Sequence, residues 1–255
     1  MKISRIIMVV AAALALGGCN QPARYDVCIY GGTSAGVVAA YSAAQQGLSV
    51  ILVEPTTHIG GMTTGGLGFT DIGNKQVIAG VAKQFYRKVG AHYGRLEQWI
   101  FEPSVAEGIM RDYLANDNIT LLSEYRIRES HKEGARIANI VVENSQKPSR
   151  TKTIKADYFI DCSYEGDLMA RSGVEYTVGR EANEQYGETY NGVELMDRHQ
   201  FPDGIDPYKE KGNPESGLLW GISPAVEADN GTADQMLQAY NYRICLTIVQ
   251  ENRVE

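Results

Sequence analysis

A chain of 255 residues that is 44% hydrophobic and 22% charged carries enough apolar material for a sizeable core, which excludes a disordered or collagen-like protein. The net charge of −7 comes without a basic run and without basic residues interleaved with aromatics, so the composition argues against nucleic acid as a partner. Cys19, Cys28, Cys162 and Cys245 stand far apart with no CxxC pair, and His58, His92, His131 and His199 have no ligand spacing, so neither a metal site nor a disulfide framework is indicated.

At the amino terminus, Lys2 and Arg5 precede an apolar stretch from Ile6 to Leu16, too short for a stable bilayer span and of the length of a secretory h-region. Leu16-Gly17-Gly18-Cys19 follows and resembles the lipobox of bacterial lipoproteins, in which the cysteine is lipidated and becomes the first mature residue. The resemblance implies a signal peptide over 1–18, lipidation at Cys19 and a polar tether over 19–24. It further implies an exported protein, lipid-anchored to a bacterial membrane on the periplasmic or outer-membrane side. An ordinary secreted protein and a buried N-terminal helix are the alternatives.

Val27-Cys28-Ile29-Tyr30 is apolar on both faces and ends at glycine, the pattern of a buried parallel strand. Ala35 to Gln46 is alanine-rich and stops at Gly47, which predicts a helix. Leu48 to Val53 is a second β-branched run, so residues 25–54 make a βαβ unit. Glycines at 60, 61, 65, 66, 68 and 73 then predict a loop whose backbone comes close to another group. Helices are expected over Val77–Tyr93 and over Ser104–Asn116, the latter with Ser104 as N-cap and Glu107 three residues on. Ile119–Leu122, Arg136–Glu143 and Thr153–Ile160 read as strands, with Glu133-Gly134 as a hairpin turn signal. After Gly173 the chain is polar and rich in tyrosine and glycine as far as Gly217.

Gly31-Gly32-Thr33-Ser34-Ala35-Gly36 lies between the first strand and the helix, where a dinucleotide fingerprint belongs, and Glu54 ends the second strand. Gly31 permits the tight turn, Gly36 lets helix and strand pack closely, and amides of the first helical turn point at a pyrophosphate with the dipole behind them. Glu54 is positioned to accept bonds from ribose hydroxyls and to repel a 2′-phosphate. Thr33 replaces the usual middle glycine; it fits if its φ is negative, and its hydroxyl is then a further candidate ligand for phosphate. A glycine-rich turn that binds nothing is the alternative.

Tyr25 to Asp71, with its GGTSAG turn, Gly60-Gly61-Met62 and the later Gly-Leu-Gly and aspartate, resembles the start of a family of FAD-dependent oxidoreductases. Ala156 to Gly192, containing DCSYEGD, and Tyr242 to Thr247 resemble the same family. The wider relatives are the two-domain flavoproteins of the glutathione-reductase structural group. The resemblance implies FAD as cofactor and an α/β fold: a Rossmann-like FAD/NAD(P)-binding parallel sheet with helices over 25–172, and over 173–255 the start of a β-rich substrate domain. It implies that Gly31, Gly32, Thr33, Ser34, Ala35 and Gly36 hold the pyrophosphate, that Glu54 holds the ribose, and that Gly60, Gly61 and Met62 pass beside pyrophosphate and flavin. Arg126 and Ile127 fall where such folds offer backbone to the adenine, and Cys162 where a short turn meets the cofactor. Cys162, with no cysteine near it in sequence, reads as a packed small residue rather than a redox thiol.

In a flavoenzyme the ring transfers the electrons and the protein positions the substrate, so catalytic residues are few. The leads are Asp71, Tyr164 and Arg180, with Glu165, Asp167 and Glu181 beside them; each has a bland reading as a cap or a surface ion pair. The function expected is oxidation or reduction of a small organic or carbohydrate-derived substrate by hydride transfer at flavin N5, with an unassigned electron acceptor. An NAD-dependent dehydrogenase on the same βαβ unit is the second reading, against which Thr33 and the Gly60–Gly68 loop count. A non-enzymatic surface lipoprotein is the third. Because Ile248 to Glu255 shows no closing nucleotide-domain strand, the chain is expected to be a truncated piece with an incomplete FAD site.

Overall fold

The computed structural model describes residues 24–196, 202–222, 224, 228–237 and 246–253. The signal segment, Cys19 and the tether before Arg24 lie outside the described residues, as do His199 and residues 242–245 with Cys245.

The first compact unit takes the described residues 24–175 and 246–253. β1 (Arg24–Tyr30), α1 (Ser34–Ala44) and β2 (Val50–Glu54) form the βαβ unit where the apolar runs place it. α2 (Gly80–His92), α3 (Pro103–Leu114) and β3 (Ile119–Ser123) follow. Next come β4 (Tyr125–Glu133), β5 (Arg136–Asn144) and β6 (Thr151–Asp161), and the short α4 (Asp167–Arg171). The six strands make one sheet in the order β3-β2-β1-β6-β5-β4. β3, β2, β1 and β6 are parallel, while β6, β5 and β4 form an antiparallel meander. β6 belongs to both parts: Thr151–Ile154 pair with β5, and the rest of the strand pairs with β1 up to Tyr30–Asp161.

The sequence of β1 explains the layering. Val27 and Ile29 face a core shared with Val37, Ala40, Phe85, Ala106 and Met110, on the side of the three helices. Cys28 and Tyr30 face a second core with Ile127, Ile140, Val142 and Leu168, on the side of the meander and α4. Because successive strand residues point to opposite faces, a strand buried on both must be apolar throughout, as it is. Full burial of a side chain such as Leu52 contributes about 1.5–3 kcal/mol, so these central strands anchor the unit.

Two local expectations are corrected. The third helix starts at Pro103 with Glu102 in the N-cap position and no side-chain cap, so Ser104 lies inside the first turn. Pro103 has φ already set for a first helical turn and no N–H to satisfy, which removes the need for a serine cap. Glu107 turns instead to Arg111 at 2.6 Å and to His58 at 3.5 Å. The second helix begins only at Gly80, after a separate 3-10 turn over Lys75–Val77. β4 had no periodic signal of its own: register shifts at Ile127/Glu129 and His131/Lys132 break its alternation.

The second compact unit takes residues 176–241. Its described regular structure is α5 (Asn183–Tyr186) and the hairpin of β7 (Tyr208–Glu210) and β8 (Asn213–Leu218). Among its described residues Val193 is the one buried hydrophobic side chain. Polar bonds hold it instead: the Asn183 amide group donates to Thr189 C=O at 2.7 Å and accepts from Asn191 and Gly192 N–H at 2.7 and 3.0 Å.

Candidate functional site

The C-terminal ends of β1, β2 and β6 define a crevice, the place where open parallel sheets bind nucleotides. The Gly31–Gly36 turn crosses its floor. Gly31 has φ +101°, and a Cβ there would stand 2.6 Å from Ser163 N and 2.7 Å from the Cys162 carbonyl carbon. A Cβ on Gly36 would fall on the Gly31 carbonyl oxygen. The fingerprint glycines are therefore required by backbone touching backbone.

Thr33 has φ −65° and is the N-cap of α1. Its hydroxyl accepts from Gly36 N–H at 3.3 Å and donates to Cys162 C=O at 2.8 Å. The negative φ explains why a non-glycine residue fits here, and the hydroxyl expected to reach phosphate is spent inside the protein. Among the described residues the Ala35 N–H has no acceptor, so it remains available at the positive end of the helix.

Glu54 is 8% exposed and reaches back to this turn. One carboxylate oxygen accepts from Gly32 N–H at 2.7 Å; the other accepts from Thr56 N–H at 2.8 Å and Thr56 Oγ at 2.7 Å. A carboxylate has about four acceptor positions, so one is left on the oxygen that faces Gly32.

The Gly60–Met62 segment lies against the same turn. Gly60 N–H donates to Gly32 C=O at 2.7 Å, and Met62 N–H donates to the Tyr164 hydroxyl at 2.8 Å. Below it, the Thr64 hydroxyl donates to Ile59 C=O, and the His58 Nε2 lies 2.9 Å from the Thr64 Oγ. A cavity of about 1240 Å³ opens beside this loop, lined by His58, Thr64, Gly66, Ser104, Thr247 and Arg253 among others.

Cys162 N–H donates to Tyr30 C=O at 2.7 Å, which joins the end of β6 to the crevice. Burial, with Asp161 next to it, pushes the Cys162 thiol up, and burial alone pushes Cys28 up to about 12. Both thiols stay protonated at neutral pH, the state of packed residues rather than nucleophiles. Asp161, the first residue of the DCSYEGD stretch, accepts from Ser163 N–H, Ser163 Oγ and Met169 N–H at 2.9, 2.6 and 2.9 Å. The Asp-x-Ser spacing just before a helix was the signal for this turn.

Other leads lie elsewhere. Ile127 is buried and its N–H is taken by the Tyr30 hydroxyl at 3.2 Å, so that amide is not on offer to an adenine. Arg126 pairs with Glu143 at 2.8 Å. Asp71 and Glu165 are exposed, and Asp167 opens α4 with its N–H on the Ser163 Oγ at 3.1 Å. Arg180 pairs with Asp234 and not with Glu181, whose carboxylate accepts from Asn191 at 2.6 Å. The backbone repeats the Arg180 pairing, with N–H to C=O distances of 2.9 and 3.0 Å in the two directions. In the second unit Arg180 is thus a tie between residues 180 and 234.

The Arg180 side chain holds the Asp234 carboxyl below the usual carboxylate range, ahead of its bond from Met236 N–H. A depressed folded-state value means the tie contributes stability above the ordinary aspartate value and loses it as pH falls through the folded one. Acidification, or Arg180→Ala at neutral pH, is expected to open this unit to protease cleavage near 180 and 234 while the first unit stays resistant. Equal resistance of the variant would remove the tie.

The residues at the crevice fit the ADP half of a flavin dinucleotide: close glycine packing, an unpartnered amide at a helix N-terminus and a buried carboxylate with one acceptor position left. Comparison with known proteins points the same way. Over 154 residues the chain is 27% identical to a thiamine thiazole synthase of Pyrococcus horikoshii, covering 57% of this chain and 60% of that protein. Over 55 residues it is 44% identical to a 3-oxosteroid 1-dehydrogenase of Mycolicibacterium smegmatis, covering 22% of this chain and 10% of that protein. The chain therefore spans less than two thirds of either curated relative. Among solved structures, THI4 of Thermovibrio ammonificans is 16% identical with a TM-score of 0.45, covering 71% of this chain and 75% of that one. The family model described as FAD dependent oxidoreductase matches residues 26–255, and the chain belongs to that family, with FAD as its cofactor.

Proposed function

We propose that the chain is the FAD-holding part of an oxidoreductase acting on a small organic or carbohydrate-derived substrate. The observation that carries this reading is the buried Glu54 carboxylate, bonded to Gly32 N–H at 2.7 Å at the mouth of the fingerprint turn. In the reading, Gly31–Gly36 and the Ala35 amide take the pyrophosphate, and the last acceptor position of Glu54 takes a ribose hydroxyl. Gly60–Met62 and Cys162 border the rest of the cofactor. When bound, the isoalloxazine supplies a two-electron acceptor or donor at N5. The chain's own part is to fix the dinucleotide, to keep a 2′-phosphate out by charge, and to leave substrate room beside the Gly60–Gly66 loop. Reconstitution with FAD and a screen for compounds that bleach the flavin tests the activity; a loaded protein that no candidate reduces or oxidises would contradict it.

We also propose export and lipid anchoring through Cys19, on the strength of the Leu16–Cys19 motif behind an apolar run. Among the described residues no helix is long and apolar enough to cross a membrane. Cys19→Ser is expected to move the protein from the membrane pellet to the soluble fraction. Equal partition of the variant and the native chain would refute the anchor.

A further inference from the structure

We infer that Tyr164 is a clasp that holds the cofactor crevice in its binding shape before the cofactor arrives, making it a positioning residue and not a general base. The inference rests on the FAD reading of the crevice. Three segments far apart in sequence meet there: 31–33, 60–62 and 162–164. Three hydrogen bonds close them into a ring. Gly60 N–H to Gly32 C=O at 2.7 Å joins the first segment to the second, and Thr33 Oγ to Cys162 C=O at 2.8 Å joins the first to the third. Met62 N–H to the Tyr164 hydroxyl, at 2.8 Å, is the closing link.

The phenol is fitted to the loop. Gly61 has φ +56°, and a Cβ built there would fall on the Tyr164 hydroxyl, so a side chain at 61 and the phenol cannot share the space. Tyr164 is itself 55% exposed, and its ring is aimed by the turn behind it rather than by core packing. That turn is rigid: Asp161 gathers Ser163 and Met169, and the Ser163 Oγ takes Asp167 N–H at 3.1 Å. The other ties on this stretch end on carbonyls: Thr64 Oγ on Ile59 C=O, His58 Nε2 and Thr64 N–H on Gly61 C=O at 3.3 and 3.2 Å, and Gly65 N–H on Met62 C=O at 3.3 Å. Without the phenol the Met62 N–H has only water to bond. A loop that must be ordered on binding weakens affinity by the cost of ordering it, which preorganisation removes.

The test uses the full chain and Tyr164→Phe, which removes one oxygen from an exposed ring. Three quantities are read: hydrogen exchange at the Met62 amide without FAD, the Kd for FAD by flavin fluorescence, and Tm. The clasp predicts faster Met62 exchange, a Kd raised about tenfold, and a Tm nearly unchanged, because the bond lies outside the core. Gly61→Ala, which displaces the phenol from the other side, should raise Kd in the same way. Unchanged exchange and Kd in Tyr164→Phe would overturn the inference, and so would a Tm that falls in step with affinity, since that marks a merely structural bond. If the native chain bound no FAD, the reading of the crevice would fail, and the Met62 exchange would still decide whether the ring is closed by Tyr164.

Discussion

Gly36→Ala is expected to weaken FAD binding severely and to destabilise the first unit. The added carbon falls on the Gly31 carbonyl oxygen and lies 3.4 Å from the Cys162 Cβ. Neither neighbour can retreat. Gly31 is itself pressed against Cys162 and Ser163 with φ +101°, and Cys162 is fixed by Tyr30 C=O at 2.7 Å and by the Thr33 hydroxyl. Overpacking against backbone costs about 3 kcal/mol, the upper part of the usual range. For a domain of this size that lowers Tm by roughly 6–12 °C. Relief can come only from α1 moving off β1, which carries the Ala35 amide out of line. Loss of that amide's charge-assisted bond to a pyrophosphate, about 1.5–3 kcal/mol, weakens binding about ten- to a hundredfold. Gly108→Ala is the control: Gly108 is exposed in α3 with nothing within 4 Å of an added Cβ. That change should stabilise by about 0.5–1 kcal/mol and leave FAD affinity alone. Thermal unfolding with a flavin titration separates the two variants.

The second large effect is at Glu54. Donors surround its carboxylate: Gly32 N–H on one oxygen, and Thr56 N–H with the Thr56 hydroxyl on the other. Glutamine matches the shape but not this environment, because its NH2 must face one of the two amides. The hydroxyl can turn to accept, whereas an amide cannot. Glu54→Gln should therefore cost about 1–3 kcal/mol, the penalty of a buried donor left without an acceptor. Glu54→Ala abandons both amides and should cost more. Since the oxygen facing Gly32 also offers the remaining acceptor position, either change should raise the Kd for FAD about tenfold or more. An unchanged Kd in Glu54→Gln would show that the carboxylate only braces the turn.

Much of the nucleotide-binding unit was legible because its physics is local. The double-faced apolar runs at 27–30 and 48–53 and the alanine-rich stretch ending at Gly47 lie where β1, β2 and α1 stand. Gly31, Gly36 and Glu54 meet because a strand, a tight turn and a helix leave them no other place. What was not legible depends on contacts between remote segments. The Tyr164 to Met62 bond spans 102 residues and leaves no periodicity in either segment. The Thr33 hydroxyl was expected at a phosphate because nothing in its neighbourhood announces Cys162 C=O as its partner. Nothing in the sequence around Arg180 points to Asp234, which a backbone bridge brings to it. Pro103 displaced Ser104 as the start of α3 by a preset φ, a signal present in the sequence and outweighed by the Ser-x-x-Glu spacing.

All of this depends on the crevice between the Gly31–Gly36 turn and Glu54 being where the dinucleotide lies. A crystal structure of the chain soaked with FAD tests that directly. A pyrophosphate oxygen is expected within hydrogen-bond distance of the Ala35 amide, and an adenosine ribose hydroxyl on Glu54. FAD density elsewhere, with this crevice filled by water, would contradict it.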